Sequence, residues 1–285
     1  GRERLFSAHH ARCHGAEMKR RRGQRQQAGF TLIELLTALG IFLIVCGAAF
    51  TLLASSQQRA RTESQLLTSF QEARLALDQI VRDVNDSGYP PPSYSDGVPS
   101  HSASTPFAWY PNYTIPTPCA VGINCDPPSD FDIIIETNPN RQDPASKVQW
   151  IRYRLDPTTS TLMRGAADKT SGGEPTVETA DKLAPLVQNV VNNSSPAQIA
   201  QYQALYPGMF PGGNPVPIFS YTCDTPTAPQ PQLPPCFMAG ADNMPANIRD
   251  VTVTLIVAAP LPDATTGQPR LVQLVGRGRR INPNQ

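Results

Sequence analysis

Hydrophobic and polar residues follow two different patterns in the first third of the chain. From Phe30 to Leu53 there are 24 residues with a single charged side chain, Glu34. A helix of this length extends about 36 Å at 1.5 Å per residue, which is enough to cross the apolar part of a bilayer. The pattern therefore predicts a transmembrane half-helix over residues 30–54.

The helical period continues beyond this run, but the segment becomes amphipathic. Apolar residues recur at steps of three and four between charged positions, at Leu66, Leu67, Phe70, Ala73, Leu77, Ile80, Val81 and Val84. Such a stripe needs a partner surface, and a β-sheet can provide it. We expect the second half of the same helix over residues 55–88. Gly88 and the prolines that begin at Pro90 are expected to end it.

The rest of the chain, residues 89–285, shows strand patterns separated by proline-rich stretches. All 30 prolines lie between Pro90 and Pro283, which excludes many long helices there. Strands are predicted over residues 131–137, 218–223, 249–258 and 270–278, and as a hairpin over 150–164, whereas residues 182–191 fit a strand or a short helix. Strands joined by loops favour antiparallel pairing. The predicted fold class is α+β, with one long helix packed on an antiparallel β-sheet that carries long Pro-rich loops.

Charge is unevenly distributed along the chain. Residues 1–29 contain eight Lys/Arg and two Glu, so that 16 Lys/Arg and 21 Asp/Glu remain for residues 30–285. The basic flank predicts that the N-terminus stays in the cytoplasm and that the body of the protein is exported. Because the body is net negative, it has no general attraction for nucleic acid. A cleaved secretory signal or a plain signal anchor are alternatives, but neither accounts for Glu34.

The segment "AGFTLIELLTAL" resembles the type IV prepilin signature. The resemblance implies a leader over residues 1–29, cleavage between Gly29 and Phe30 by a prepilin peptidase, and N-methylation of Phe30. It also implies that Glu34 pairs with the terminal amine of a neighbouring subunit during assembly. A carboxylate inside a bilayer is costly, which gives a physical reason for such a partner. The leader is expected to begin at Gly1 or at Met18.

Two further segments narrow the resemblance. "FQEARLALDQIVRDVNDSGY" and "WIRYRLDPTTSTLMR" are similar to PilW-like minor pilins and to the related J-type minor pseudopilins of type II secretion. This implies a structural subunit that is held in the inner membrane, with its globular domain in the periplasm, and is then assembled into or primes a pilus or pseudopilus. The implied partners are prepilin peptidase, other pilins or pseudopilins, an inner-membrane assembly platform and membrane lipid. A pilus-associated adhesin or DNA-uptake subunit is the alternative.

Four cysteines lie beyond the apolar run. They are Cys119, Cys125, Cys223 and Cys236, and all occur in the loop-rich part of the chain. An even number of cysteines in an oxidising compartment predicts two disulfides. Of the three possible connectivities, we favour Cys119 with Cys125 and Cys223 with Cys236.

The sequence contains no convincing catalytic or cofactor motif. After residue 29 the chain has one histidine, His101, and it lacks the common nucleophile and phosphate-binding motifs. Asp83 begins a stretch that imitates a calcium loop, but Tyr94 stands where a glutamate is required. We therefore predict no enzyme activity, no cofactor, no metal and no small-molecule substrate. Asp130, Asp132 and Glu136 are interpreted as charges that keep a sheet edge soluble and not as paired catalytic carboxylates.

Three surface features leave alternatives open. The aromatic residues Tyr89, Tyr94, Trp109, Tyr110 and Tyr113 favour loop packing over an adhesive surface. The arginines near the C-terminus favour a solvated tail or a subunit contact over nucleic-acid binding; these are Arg270, Arg277, Arg279 and Arg280. Asn112 and Asn192 each begin a glycosylation sequon, which is a short and weak signal.

Overall fold

The computed structural model describes residues 29–281, apart from residues 95, 97, 114–117, 141, 144–145, 225–232, 240 and 264–266. Residues 1–28 of the leader predicted over residues 1–29, and with them the alternative start at Met18, lie outside the described residues. The chain divides into two compact units, Gly1–Leu53 and Ala54–Gln285. Each unit is described by itself below.

The first unit contains the beginning of helix α1, which spans Leu32–Asn85. Its large apolar side chains are exposed, including Leu36, Ile41 and Phe50. Within the described residues this is the one helix long and apolar enough to cross a membrane. Exposure of so much apolar surface is expected of a helix whose solvent is lipid.

The second unit contains two antiparallel sheets. The first has the order β1-β2-β3-β4-β5 and the second the order β6-β7-β8. The strands of the first sheet are β1 Phe107–Ala108, β2 Asp132–Thr137, β3 Gln149–Asp156, β4 Thr161–Asp168 and β5 Ala184–Val187. Those of the second are β6 Phe219–Cys223, β7 Ile248–Pro262 and β8 Pro269–Arg279. The predicted α+β class and antiparallel pairing are confirmed, although the strands form two sheets where the sequence suggested one.

Several short helices complete the second unit. The helices α2 and α3 span Pro175–Ala180 and Pro196–Leu205, and single 3₁₀ turns occur at Pro92–Tyr94, Pro99–His101, Pro211–Gly213 and Pro245–Asn247. Neither α2 nor α3 was predicted from the sequence. The start of α3 carries a recognisable signal, because Ser195 and Gln198 form a capping box with a proline in the first turn.

The second half of α1 packs closely on the strand β8. Its buried residues Ala73, Ala76, Leu77, Ile80 and Val84 join a core made by both sheets. Gly276 and Gly278 of β8 face this helix, so that a Cβ atom at either position would meet its side chains. At Gly278 the added atom would lie 2.5 Å from Cγ1 of Val84. The two glycines therefore permit the close approach of helix and sheet.

The end of α1 is fixed by the chain reversal that follows it. Gly88 has a φ of +79°, and its amide donates to the carbonyl of Glu136 over 2.8 Å. Residues with a side chain rarely adopt this left-handed backbone, which explains the glycine at this position. The reversal brings the loop after α1 alongside β2.

Candidate functional site

The N-terminus of α1 is organised by a capping box. Thr31 is the residue before the helix, and its amide and hydroxyl each donate to Oε2 of Glu34 over 2.9 Å. In return, the Glu34 amide donates to the Thr31 hydroxyl over 3.3 Å. This reciprocal pairing satisfies two amides that a helix start leaves without partners. This role of Glu34 could have been predicted from the sequence, because Thr-x-x-Glu before an apolar run is the signature of a capping box.

The two residues before Thr31 are accessible. Phe30 is 89% exposed, and a side chain added at Gly29 would have no neighbour within 4 Å among the described residues. The peptide bond that joins them therefore lies open before the first turn of the helix. Four residues further on, Glu34 places an exposed carboxylate among apolar side chains. The arrangement therefore combines an accessible stretch of backbone before the helix with an acceptor for a cationic group near the helix start.

Two disulfides close loops in the second unit. Cys119 is bonded to Cys125 and Cys223 to Cys236, with Cα–Cα distances of 5.1 and 4.8 Å. All four cysteines are buried. Among the described residues Cys46 is the free cysteine, and it lies in the apolar half of α1. Each disulfide links two cysteines that are close in sequence, 6 and 13 positions apart, so each stabilises a local part of the fold.

We expect thiol labelling to detect both disulfides. A protein lacking residues 1–54 is first folded under oxidising conditions and then labelled in denaturant without reductant. No thiol should react at that stage, and four should react after reduction. Replacing Cys119 and Cys125 together by serine should leave two thiols that appear after reduction. This variant should lose about 2–4 kcal/mol of stability. Labelling of all four thiols before reduction would contradict the pairing.

The interpretation of Asp132 and Glu136 as edge charges is wrong. The strand β2 lies between β1 and β3, and all its residues are buried. Asp132 accepts two hydrogen bonds from Arg152, over 3.0 and 2.6 Å. Burial raises the pKa of the Asp132 carboxyl, while the guanidinium opposes this change. These acids stabilise an interior strand through buried partners and not through solvation.

Glu136 is the centre of a buried polar cluster. Its carboxylate accepts from Lys169 Nζ over 2.9 Å, from the Trp150 indole N–H over 3.1 Å and from the Tyr113 hydroxyl. The Lys169 ammonium also donates to the Ser102 carbonyl and to the Ser104 hydroxyl. All three ammonium protons can thus be satisfied, as a buried charge requires. The cluster ties the loop after α1 to the first sheet.

The aromatic residues after α1, among them Trp109 and Tyr113, mainly pack against one another and against the first sheet. The rings of Trp109 and Tyr113 are 5.0 Å apart, and that of Tyr113 meets Trp150 edge-on at 5.8 Å. Burial raises the pKa of Tyr113, and the charge of Glu136 raises it further. Tyr110 remains 44% exposed. The side chain of Tyr94 lies outside the described side chains.

The candidate calcium residue Asp83 has partners within the protein. Its carboxylate accepts from the Tyr153 hydroxyl over 2.6 Å and lies 3.6 Å from the Arg164 guanidinium. Burial raises the pKa of Asp83, and these two partners oppose the change. The group therefore connects the end of α1 to the strands β3 and β4. The Asp83 carboxylate therefore binds side chains of the first sheet and does not face an open loop.

The C-terminal arginines form ion pairs across the second unit. Arg277 lies 2.7 Å from Asp250, Arg279 lies 3.6 Å from the same residue, and Arg270 lies 2.6 Å from Asp263. These arginines belong to the strand β8 and not to a tail, and their side chains remain exposed to solvent. A subunit contact at these residues stays a prediction. Arg280 is buried and donates to the carbonyl of Ala246.

The Asn192 sequon is also part of the fold. The Asn192 side chain is fully buried, and its amide donates to the carbonyls of Val216 and Thr254. Its oxygen accepts from the Ile256 amide over 2.8 Å. This side chain therefore connects the loop after β5 to the strand β7, and it is not accessible for modification in the folded protein.

Comparison with known proteins finds one family match. Residues 24–50 match the model of the prokaryotic N-terminal methylation motif. No curated protein and no solved structure shows a significant match. The matched segment contains Gly29, Phe30 and Glu34 and most of the apolar run. It supports a membrane-anchored protein of the type IV pilin or pseudopilin class that is a substrate of prepilin peptidase.

Proposed function

We propose that this chain is a structural minor pilin of the PilW-like kind, which is assembled into a type IV pilus or primes its assembly. The main support is the arrangement at the start of α1, where an open Gly29–Phe30 bond precedes an apolar helix that carries one carboxylate. The exposed apolar half of α1 and the α+β second unit agree with a subunit that has a membrane anchor and a folded head.

The residues take distinct roles in this proposal. Cleavage after Gly29 leaves Phe30 as the first residue, with a methylated amine that carries a positive charge. The Glu34 carboxylate binds the amine of a neighbouring subunit, because two opposite charges in an apolar surrounding are far less costly together than apart. Until then, Thr31 provides the carboxylate with hydrogen bonds within its own chain. Assembly therefore exchanges local partners of Glu34 for a charged one.

The proposed location follows from the charge and the disulfides. The basic residues before Gly29 hold the N-terminus in the cytoplasm, and the second unit enters the periplasm. Two disulfides suit that oxidising compartment. The mature protein then leaves the inner membrane with other pilins through the assembly platform.

A minor pseudopilin of type II secretion is the second candidate. The hairpin formed by β3 and β4, which carried the resemblance to both families, pairs without interruption from Gln149 with Asp168 to Asp156 with Thr161. A DNA-uptake role receives less support, because residues 30–285 are net negative and Arg270 is ion-paired with Asp263 within the protein. An adhesive role would depend on surfaces other than the packed aromatic loop.

Processing provides the direct test of the proposal. Co-expression with a prepilin peptidase should yield a product that begins with methylated Phe30, as detected by mass spectrometry. Gly29→Val should block cleavage, because a branched side chain crowds the peptidase site. A version that begins at Met18 should be processed as well as the longer chain. An intact leader or cleavage at another bond would refute the assignment to this class.

A further inference from the structure

The strand β8 forms a long edge of the second sheet. Its 11 residues pair with β7 on one side, and the register runs without interruption from Arg279 opposite Asp250 to Leu271 opposite Ala258. The edge strands β1, β5 and β6 have two, four and five residues. Folded proteins usually keep edge strands short, covered or interrupted, because an open edge can pair with another chain. Among the described strands, β8 departs from this rule.

Two hydrogen bonds at the end of β8 show which backbone groups face away from β7. The amide of Arg280 donates to the carbonyl of Arg249 over 3.1 Å, which places the even-numbered amides of this region on the β7 side. The amide of Arg279 donates in the other direction, to Oδ1 of Asn85 over 2.8 Å. In an antiparallel pair, successive residues of a strand point their backbone N–H and C=O groups alternately toward the partner strand and away from it. The odd-numbered residues therefore point their N–H and C=O groups outward, namely Leu271, Gln273, Val275 and Arg277.

This row of backbone groups is accessible along most of its length. Within the described residues, the Asn85 side chain accepts from the outward amide of Arg279, at the end of the row. No backbone group of the described residues bonds to the other outward groups. Val275 is 60% exposed, and the side chains of Arg277 and Arg279 are 62% and 69% exposed. The edge is therefore open from Gln273 to Arg277, whereas Leu271 at its far end is buried.

The backbone spacing and the charge of the β8 edge indicate which kind of segment could bind to it. Outward N–H and C=O pairs recur every second residue, about 6.8 Å apart, and an extended strand matches this repeat. Arg277 and Arg279 share the single carboxylate of Asp250, which leaves one positive charge in excess. We propose that the open edge of β8 binds an extended, acidic segment of another polypeptide, which adds a fourth strand to the second sheet. An apolar residue of that segment would lie against Val275.

Hydrogen exchange of individual amides tests this proposal on the full chain in detergent micelles. Without a partner, the outward amides of Gln273, Val275 and Arg277 should exchange quickly, and the inward amides of Val272 and Leu274 slowly. The probe is the peptide acetyl-Glu-Thr-Val-Thr-Glu-amide. When nine-tenths of the sites are occupied, exchange of the outward amides should slow by about tenfold, because only the free fraction exchanges. The inward amides should change little.

Two matched changes separate strand addition from other kinds of binding. Val275→Pro removes an outward N–H and leaves the bonds to β7 in place, so that the peptide should no longer protect Gln273 or Arg277. A peptide whose valine is N-methylated lacks the corresponding N–H in the probe, and it should likewise fail to protect the outward amides. This second change tests the proposal even if the proline variant does not fold. Replacing both glutamates of the peptide by lysine should weaken binding at low salt.

Three results would overturn the proposal. Failure of the acidic peptide to slow exchange of the outward amides would show that the edge does not accept a strand. Slow exchange without peptide that depends on protein concentration, together with a dimer in sedimentation, would assign the edge to a second copy of this chain. Slow exchange at every concentration would show that the chain closes its own edge.

Discussion

Glu34→Gln should leave this protein processed and inserted in the membrane, yet absent from assembled filaments. Glutamine keeps the shape of the side chain and its carbonyl oxygen, so it can still accept the hydrogen bonds of Thr31 in the capping box. It has no charge to balance a neighbouring amine, and an unpaired charge in an apolar surrounding costs several kcal/mol, about 3–5 by analogy with buried ion pairs. Mass spectrometry of the membrane fraction and of sheared filaments measures both outcomes.

Thr31→Ala is the matched control for this experiment. It removes the Thr31 hydroxyl, which donates to Glu34 and accepts from its amide, at a cost of about 0.5–2 kcal/mol. The backbone amide of residue 31 and the Glu34 carboxylate are retained. The variant should therefore still be recruited by its partner subunits. Glu34→Ala, which removes both the cap and the charge, should insert and be cleaved but fail in assembly. If Glu34→Gln enters filaments as well as the unchanged protein, the charge is not the feature that assembly uses.

Lys169→Met should lower the free energy of unfolding of the second unit by about 3–5 kcal/mol. Methionine preserves much of the side-chain volume but leaves the fully buried carboxylate of Glu136 without its counter-charge. The carboxylate would keep the Trp150 and Tyr113 donors, which are neutral. Urea unfolding of a protein lacking residues 1–54 measures the change, with Lys182→Met, an exposed lysine, as a control that should stay within about 0.5 kcal/mol.

A double variant separates lost charge pairing from lost packing. Glu136→Gln combined with Lys169→Met removes both buried charges, and should therefore be more stable than Lys169→Met alone. If the double variant is no more stable than the single one, the loss comes from packing around Lys169 or from the Ser104 amide, which donates to the carboxylate and would meet the NH2 group of glutamine.

The elements with a strong period could be predicted from the sequence. The strand β7 alternates apolar and polar residues, as predicted. Of the stripe on α1, the part from Ala73 to Val84 lies in or against the core, whereas Leu67 is exposed. The short strand β1 and the helices α2 and α3 were missed, because each is too short for a period to appear. The capping residues of α3 were the available signal there.

The polar residues were harder to interpret, because their meaning depends on partners distant in sequence. Glu136 and Lys169 are 33 positions apart, and a local pattern cannot show that they meet. In isolation, Asp132 and Glu136 look like charges on an exposed edge, since a lone buried carboxylate would be too costly. Thr31 and Glu34, by contrast, are three residues apart, so their interaction was available to sequence reasoning.

The buried Asn192 has a consequence for how this protein can be produced. In a eukaryotic secretory pathway, sequons are modified as the chain emerges, before the fold has protected them. A glycan on this nitrogen would occupy the amide that must donate to Val216 and Thr254. Folding and glycosylation would then compete for one atom, and the glycosylated fraction could not close the loop onto β7. A bacterial periplasm without oligosaccharyl transfer, or the variant Ser194→Ala in a eukaryotic host, avoids that competition.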